Sequence, residues 1–187
     1  MNGIELLTSR ASNGKLTDPA PDATTLELAF EAAARAPDHA GLHPVRIRIV
    51  SGAARERLGE LMAKVASKAN PQLAQAQLEQ TKAKALRAPL ILVVGAVITP
   101  NPKVPAIEQI LSAGAAAHAI LLTLHARGYA GMWRTGGPAY DPEVKAAFGF
   151  ADSDAIVGFI YAGTPKQPAP DVQRPAPSAF VSHWPGT

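Results

Sequence analysis

The stretch from Ile107 to Arg127 limits what this chain can become more than any other. It carries an apolar helical pattern about six turns long. Along it Ala113, Gly114, Ala115, Ala116, Ala117 and Ala119 strip side-chain bulk from nearly every face, so neighbouring backbones can approach all the way round. Such a helix reads as the buried centre of a domain. At Gly128 the pattern breaks into GYAGMWRTGG, read as a loop. That loop sets one large aromatic, Trp133, and one fixed cation, Arg134, among glycines that let the main chain come close to a ligand. A planar, anionic ligand suits it.

A second constraint is the continuous apolar run Leu90 to Ile98, of strand length and opened by Pro89, which fits a strand covered on both faces. The chain's 187 residues support one well-buried domain, so residues 1–187 are taken as a single unit. The net charge of +3 comes from Lys and Arg that are scattered and never form a run of five, a distribution that does not suggest nucleic acid as a partner. With no cysteine, disulfides, thiolate catalysis, cysteine-ligated zinc and iron–sulfur clusters are excluded. The N-terminus has no basic segment followed by an apolar core, and runs such as Ala88 to Ile98 fall short of the roughly 20 residues of a spanning helix. A cytoplasmic protein with no membrane partner is expected.

The other elements follow from local patterns. Ile4, Leu6 and Leu7 predict a short first helix ending before Ser9. Thr24 to Glu27 has capping-box spacing and opens a helix from about Ala23 to Ala36. Val45 to Val50 alternates as a strand with Arg46 and Arg48 on one side, as expected of an edge or a wet face. Ala53 to Lys68 and Pro71 to Arg87 read as an exposed, mobile helical pair. A short helix starts at Asp141-Pro142, and Ala155 to Ala162 is a last apolar strand. Beyond it, Pro165 to Thr187 is too rich in proline for regular ladders and is expected as an extended arm that wraps something with Phe180, Val181 and Trp184.

Three common chemistries find no support. His39/His43 and His118/His125 are the candidate metal pairs, but His118 and His125 stand seven apart on one helical face with no carboxylate between them, and a metal site is not favoured. No serine sits in a nucleophile-elbow pattern, so Ser12 or Ser112 with His39 and Asp38 does not make a hydrolytic triad. Neither GxGxxG after a strand nor GxxxxGK[ST] occurs. What remains is a distributed binding site with no side-chain nucleophile: Arg10, Ser12 and Lys15, then Arg35 and His39, then Trp133, Arg134 and Thr135. Hydroxyls, an amide, cations and a glycine packed into Ser9–Lys15 are the mix that binds phosphate, and equally the mix of a solvated turn.

The segments RASNGKL, RAPDHAGLHP, LRAPLILVV, KVPxxEQxLSAG, GxAGMWRTG and GFIYAGTP, in this order and spanning nearly the whole chain, resemble the flavin-dependent nitroreductase family, most closely its short single-domain branch. The resemblance implies an α+β fold with a mostly antiparallel sheet packed between helices, and a homodimer with FMN at each subunit interface. It implies an oxidoreductase that passes a hydride from NAD(P)H through FMN to a small electron-poor acceptor, a nitroaromatic or a quinone, by a ping-pong mechanism. Carried over residue by residue, Arg10, Ala11 and Ser12 meet the phosphate and ribityl chain, and Ala11 stands where the family motif has a second arginine. Arg35 and His39 reach FMN from the partner subunit, and Trp133, Arg134 and Thr135 line the flavin. Arg10 or Lys15 is the candidate cation for the ring. His43-Pro44-Val45 replaces the usual Gln-Pro-Trp, which alters the substrate pocket. The alternatives are a flavin-binding protein without efficient turnover and a dimeric scaffold that has lost its cofactor.

Overall fold

The structure, a computed structural model, describes residues 2–184. Its centre is the strand β5 (Ala155–Pro165), which pairs antiparallel with three others. These are β3 (Leu90–Ala96), β4 (Ala130–Arg134) and the two-residue β1 (Leu16–Thr17). At the edge of the sheet β2 (Val45–Ser51) pairs antiparallel with β3, from Val45 opposite Ala96 to Ser51 opposite Leu90. The fold is α+β, and its sheet is antiparallel throughout.

Every residue of β3 is buried, as a strand covered on both faces requires. Alternation along β3 and β5 divides the core into two layers. Leu90, Leu92, Val94, Ile160 and Ala162 face α2 (Ala23–Ala33) and α5 (Ala106–Ala126). Ile91, Val93, Phe159 and Tyr161 face α3 (Ala54–Ala69), α6 (Gly137–Tyr140) and α7 (Pro142–Ala147). The remaining helices, α1 (Gly3–Ser9) and α4 (Gln75–Ala83), bury no residue.

Several sequence expectations need correction. The segment read as an Ala130–Arg134 loop is β4, because pairing with β5 satisfies its backbone groups, and a strand sends Trp133 and Arg134 to opposite faces. The first residue of the α2 cap is Asp22, whose carboxylate accepts from the Thr25 amide at 2.7 Å; Thr24 is not the cap, and the helix ends at Ala33. α3 is no exposed element: Leu58, Met62 and Val65 are buried against the sheet layer. α4 starts four residues later than Pro71 and does stay exposed. β5 continues three residues beyond Ala162, to Pro165.

α5 is covered on one side only. Ser112, Ala113, Ala116, Ala117, Ile120 and Leu124 are buried, while Ile107, Leu111, Ala115 and His118 are exposed. With 21 residues and an apolar window of mean hydropathy 1.4 it is long and apolar enough to cross a bilayer, contrary to the expectation from shorter runs; here its inner face packs on the sheet and α2. The arm leaves β5 tied at its root, where the Lys166 amide donates to the Lys15 carbonyl at 2.9 Å. From there to Trp184 every residue is exposed, and the final Pro185–Thr187 lie outside the described residues.

Trp133 shows how tightly β4 is fixed. Its indole Nε1 donates to the Val157 carbonyl at 2.9 Å, and the ring packs against Gly158. A Cβ added at Gly158 would stand 2.0 Å from Nε1, inside any allowed contact. The Gly158→Ala variant is therefore expected to lose about 3 kcal/mol through overpacking. Urea denaturation should give a lower midpoint with an unchanged slope; an unchanged midpoint would show that the ring is free to move.

Candidate functional site

The loop between α1 and β1 brings the first candidate residues together. Asn13, only 3% exposed, anchors it: the Asn13 amide donates to Gly131 of β4 at 3.2 Å, and its side-chain Nδ2 donates to the Gln167 carbonyl of the arm at 2.8 Å. Its Oδ1 accepts from the Lys15 amide at 3.0 Å, which turns the chain into β1. Ser9 Oγ lies 2.9 Å from His125 Nε2, so α1 is tied to the end of α5 as well.

Within this frame Arg10 is held in an unusual state. Its Nη1 is buried and has no hydrogen-bond partner among the described residues. Burial pulls the guanidinium pKa below the ordinary arginine value, and the nearby Arg174 of the arm pulls it further. A buried cation facing a second cation is costly unless something anionic joins them. The space is there: a cavity of about 350 Å³ lined by Arg10, Ala11, Asn13, His125, Tyr129 and Pro168. Ser12 is exposed on the same loop.

A second basic region lies on the other face of β4. Arg134 sits 5.7 Å from the centroid of the Tyr161 ring, and Arg134 and Arg87 both act on that phenol, whose pKa is nonetheless raised by burial. They line a cavity of about 610 Å³ together with Lys84, Thr135, Phe159 and Tyr161. An adjoining hollow of about 420 Å³ shares Arg87 and Arg134 and adds Lys15 and Lys166. No acidic residue lines either space, and among the described residues none of these cations has a carboxylate within salt-bridge distance.

The sequence-derived candidates thus fall into separate places on one chain. Arg10 and Ala11 share the first cavity, and Arg134 and Thr135 the second. Trp133 packs into the sheet against Gly158. Arg35 is exposed beyond α2, and His39 Nδ1 meets Glu108 Oε2 at 2.6 Å on the surface; neither lines either cavity. Sequence reasoning missed Lys84, Arg87, Lys166 and Arg174, since cations spaced this far apart show no cluster until β4 and β5 gather them.

The state of Arg10 gives a direct expectation. Inorganic phosphate at about ten times its dissociation constant should stabilise the protein by about 1.4 kcal/mol relative to chloride at equal ionic strength. Thermal denaturation of the Arg10→Ala variant should show no such gain. Equal stabilisation of both would place the anion elsewhere.

Comparison with known proteins agrees with this architecture. Residues 7–164 match the Nitroreductase family. YdjA of Escherichia coli (strain K12), which carries an NAD(P)H nitroreductase name, is 36% identical over 185 residues, covering 98% of this chain and 100% of that protein. Among solved structures, a nitroreductase-like family protein from Bacillus cereus superposes with a TM-score of 0.83 at 20% identity, over 100% of this chain and 97% of that one. A nitroreductase with bound FMN from Bacteroides fragilis gives 0.74 at 18% identity, over 98% and 100%. An antiparallel sheet between two helical layers, a family match over most of the chain and a full-length relative together establish that this chain belongs to the nitroreductase family.

Proposed function

We propose that the protein is an FMN-dependent oxidoreductase that uses NAD(P)H to reduce small electron-poor acceptors such as nitroaromatics or quinones, with its cofactor site shared between two copies of the chain. The observation that carries the reading is the half-buried Arg10 guanidinium beside Arg174, with its buried Nη1 unpartnered among the described residues. A phosphate monoester is dianionic and rich in acceptors, and it satisfies both cations at once. The names of the relatives point to the same cofactor and reductant.

FMN, when bound, supplies the hydride chemistry, receiving at its ring what NAD(P)H gives up. The chain's own residues supply binding and charge. Arg10, Ala11 and Ser12, with Arg174, hold the phosphate and ribityl end. Lys15, Arg87 and Arg134 give the neighbouring space a positive potential that favours added negative charge, since no carboxylate offsets them. The main chain at Trp133–Thr135 forms a fixed wall because the indole is locked against β5. No side chain acts as a nucleophile.

Two features of the single chain support a homodimer. Ile107, Leu111 and Ala115 on α5 and Ile4 and Leu7 on α1 leave an apolar face uncovered, and the arm carries Phe180, Val181 and Trp184 largely exposed. In such a dimer Arg35 and His39 would reach the cofactor of the partner.

The purified protein is expected to be yellow, with the absorbance bands of oxidised flavin, and to bleach on adding NADH or NADPH without oxygen. Nitrobenzene should then restore the colour, and initial rates should give the parallel double-reciprocal lines of a ping-pong mechanism. A preparation that stays colourless after incubation with FMN would overturn the proposal.

A further inference from the structure

Two further polar side chains, Ser9 and His125, line the cavity that Arg10 and Ala11 share. Arg10 brings a guanidinium whose Nη1 has no partner among the described residues, and Ala11 brings only a methyl group. A dianion with several acceptor oxygens has room for more donors than one guanidinium offers. Ser9 and His125 stand where such donors are wanted.

The pair is coupled. Ser9 Oγ lies 2.9 Å from His125 Nε2. When the neutral imidazole carries its hydrogen on Nδ1, Ser9 gives its one hydroxyl hydrogen to Nε2 and turns only lone pairs to the cavity. In the imidazolium both ring nitrogens carry hydrogen, so Nε2–H donates to Oγ and the hydroxyl hydrogen is released. One proton on His125 thus adds a positive charge at the wall and a hydroxyl donor beside Arg10.

The surroundings fix the sign of the effect. His125 stands in the last turn of α5, where the partial negative charge of the helix end favours a cation. The titratable and charged groups on the elements around it are Glu5 on α1, Arg10 on the loop, Asp22 at the start of α2, Arg127 and Tyr129 beyond α5, and Arg174 on the arm. Among the described residues no carboxylate lies within salt-bridge distance of His125. Glu5 accepts from the Asn2 amide at 3.3 Å, and Asp22 from the Thr25 amide at 2.7 Å. Arg10 and Arg174 oppose a third cation while the cavity is empty, and a dianion between them turns that repulsion into attraction. Protonation and anion binding therefore favour each other, and the coupling is reciprocal.

We infer that His125 and Ser9 are anion-binding residues of this cavity, and that a proton on His125 tightens its hold on a phosphate monoester dianion. For its occupant the inference rests on the flavin reading, in which Arg10 and Arg174 hold the FMN phosphate. Arginine keeps its charge across the neutral range, whereas histidine changes charge between about pH 5 and 8. The pH dependence of the site is then the work of His125.

Sulfate, dianionic throughout that range, is the probe. Its dissociation constant is measured by equilibrium dialysis at pH 6 and pH 8, at constant ionic strength, on the full-length chain washed free of flavin. Wild type should bind sulfate about ten-fold more tightly at pH 6, the gain from one partly exposed charged donor. His125→Gln, which keeps the other four histidines, should show a gain below about two-fold. Ser9→Ala should retain about three-fold, having lost the released hydroxyl. A wild-type gain in both variants would overturn the inference, as would a wild-type gain in Ser9→Ala alone should His125→Gln not fold. A wild-type gain in Ser9→Ala beside a flat His125→Gln would overturn the part given to Ser9. The flavin-loaded protein gives a second reading, by dilution and the fluorescence of released FMN. The ratio of FMN dissociation constants, His125→Gln over wild type, should be about ten at pH 6 and about one at pH 8, because the ionisation of FMN itself cancels. A ratio of one at both, or a chain that takes up no FMN, beside sulfate binding that does depend on His125, would overturn the flavin phosphate as occupant and leave the anion site standing.

Discussion

The structure depends on one strand having three partners. β5 holds β3 along one side, β4 and the short β1 elsewhere along its length, and these pairings gather residues from opposite ends of the chain. Leu16 lies opposite Pro165 and Ala130 opposite Gly163, so the loop carrying Arg10, the strand carrying Arg134 and the root of the arm meet at one end of β5. Hydrogen bonds from Asn13 to Gly131 and to Gln167 fasten that junction. The basic surfaces are a consequence of this topology.

The same junction carries an electrostatic cost. Arg10 buries its Nη1 without a partner among the described residues, Arg174 stands near it, and Lys15, Lys84, Arg87, Arg134 and Lys166 line spaces that no described acidic residue lines. Between α3 and α7, by contrast, Glu143 takes both Lys64 and Lys68, and their hydrogen bonds hold its carboxyl below the usual range. Cations gathered around spaces that no described acidic residue lines suit an anion, because their positive potentials add there. Exposed apolar groups on α1, α5 and the arm add a second unmet demand, for a surface to cover them.

Much of this was legible in the sequence where local physics decides. The continuous apolar run became the fully buried β3, and the Arg46/Arg48 alternation placed β2 at an edge. Asp141-Pro142 marked the start of α7, with the Asp141 side chain accepting from the Glu143 amide. The fold that the family resemblance implied, an α+β arrangement with an antiparallel sheet between helices, is the one observed. What failed was decided by pairing partners that a local reading cannot see. GYAGMWRTGG looks like a loop because its glycines weaken strand propensity, yet β5 recruits it, and alternation then parts Trp133 from Arg134. Nothing in the sequence singles out Gly158, which leaves room for the indole. Arg87 and Arg174 carry no motif of their own and gain meaning only through Tyr161 and Arg10.

The central claim is that the cofactor site is assembled from two chains, with Arg10 on one and Arg35 on the other. Subunit mixing tests it most directly. Arg10→Ala and Arg35→Ala homodimers should each bind FMN weakly. After joint unfolding and refolding, half-and-half heterodimers should place both lesions in one site and none in the other, so about a quarter of all sites recover wild-type affinity, as two-fold symmetry requires. Flavin binding in the mixture that stays at the mean of the two parents would contradict the account and place both residues in a site within a single chain, or place Arg35 outside the site.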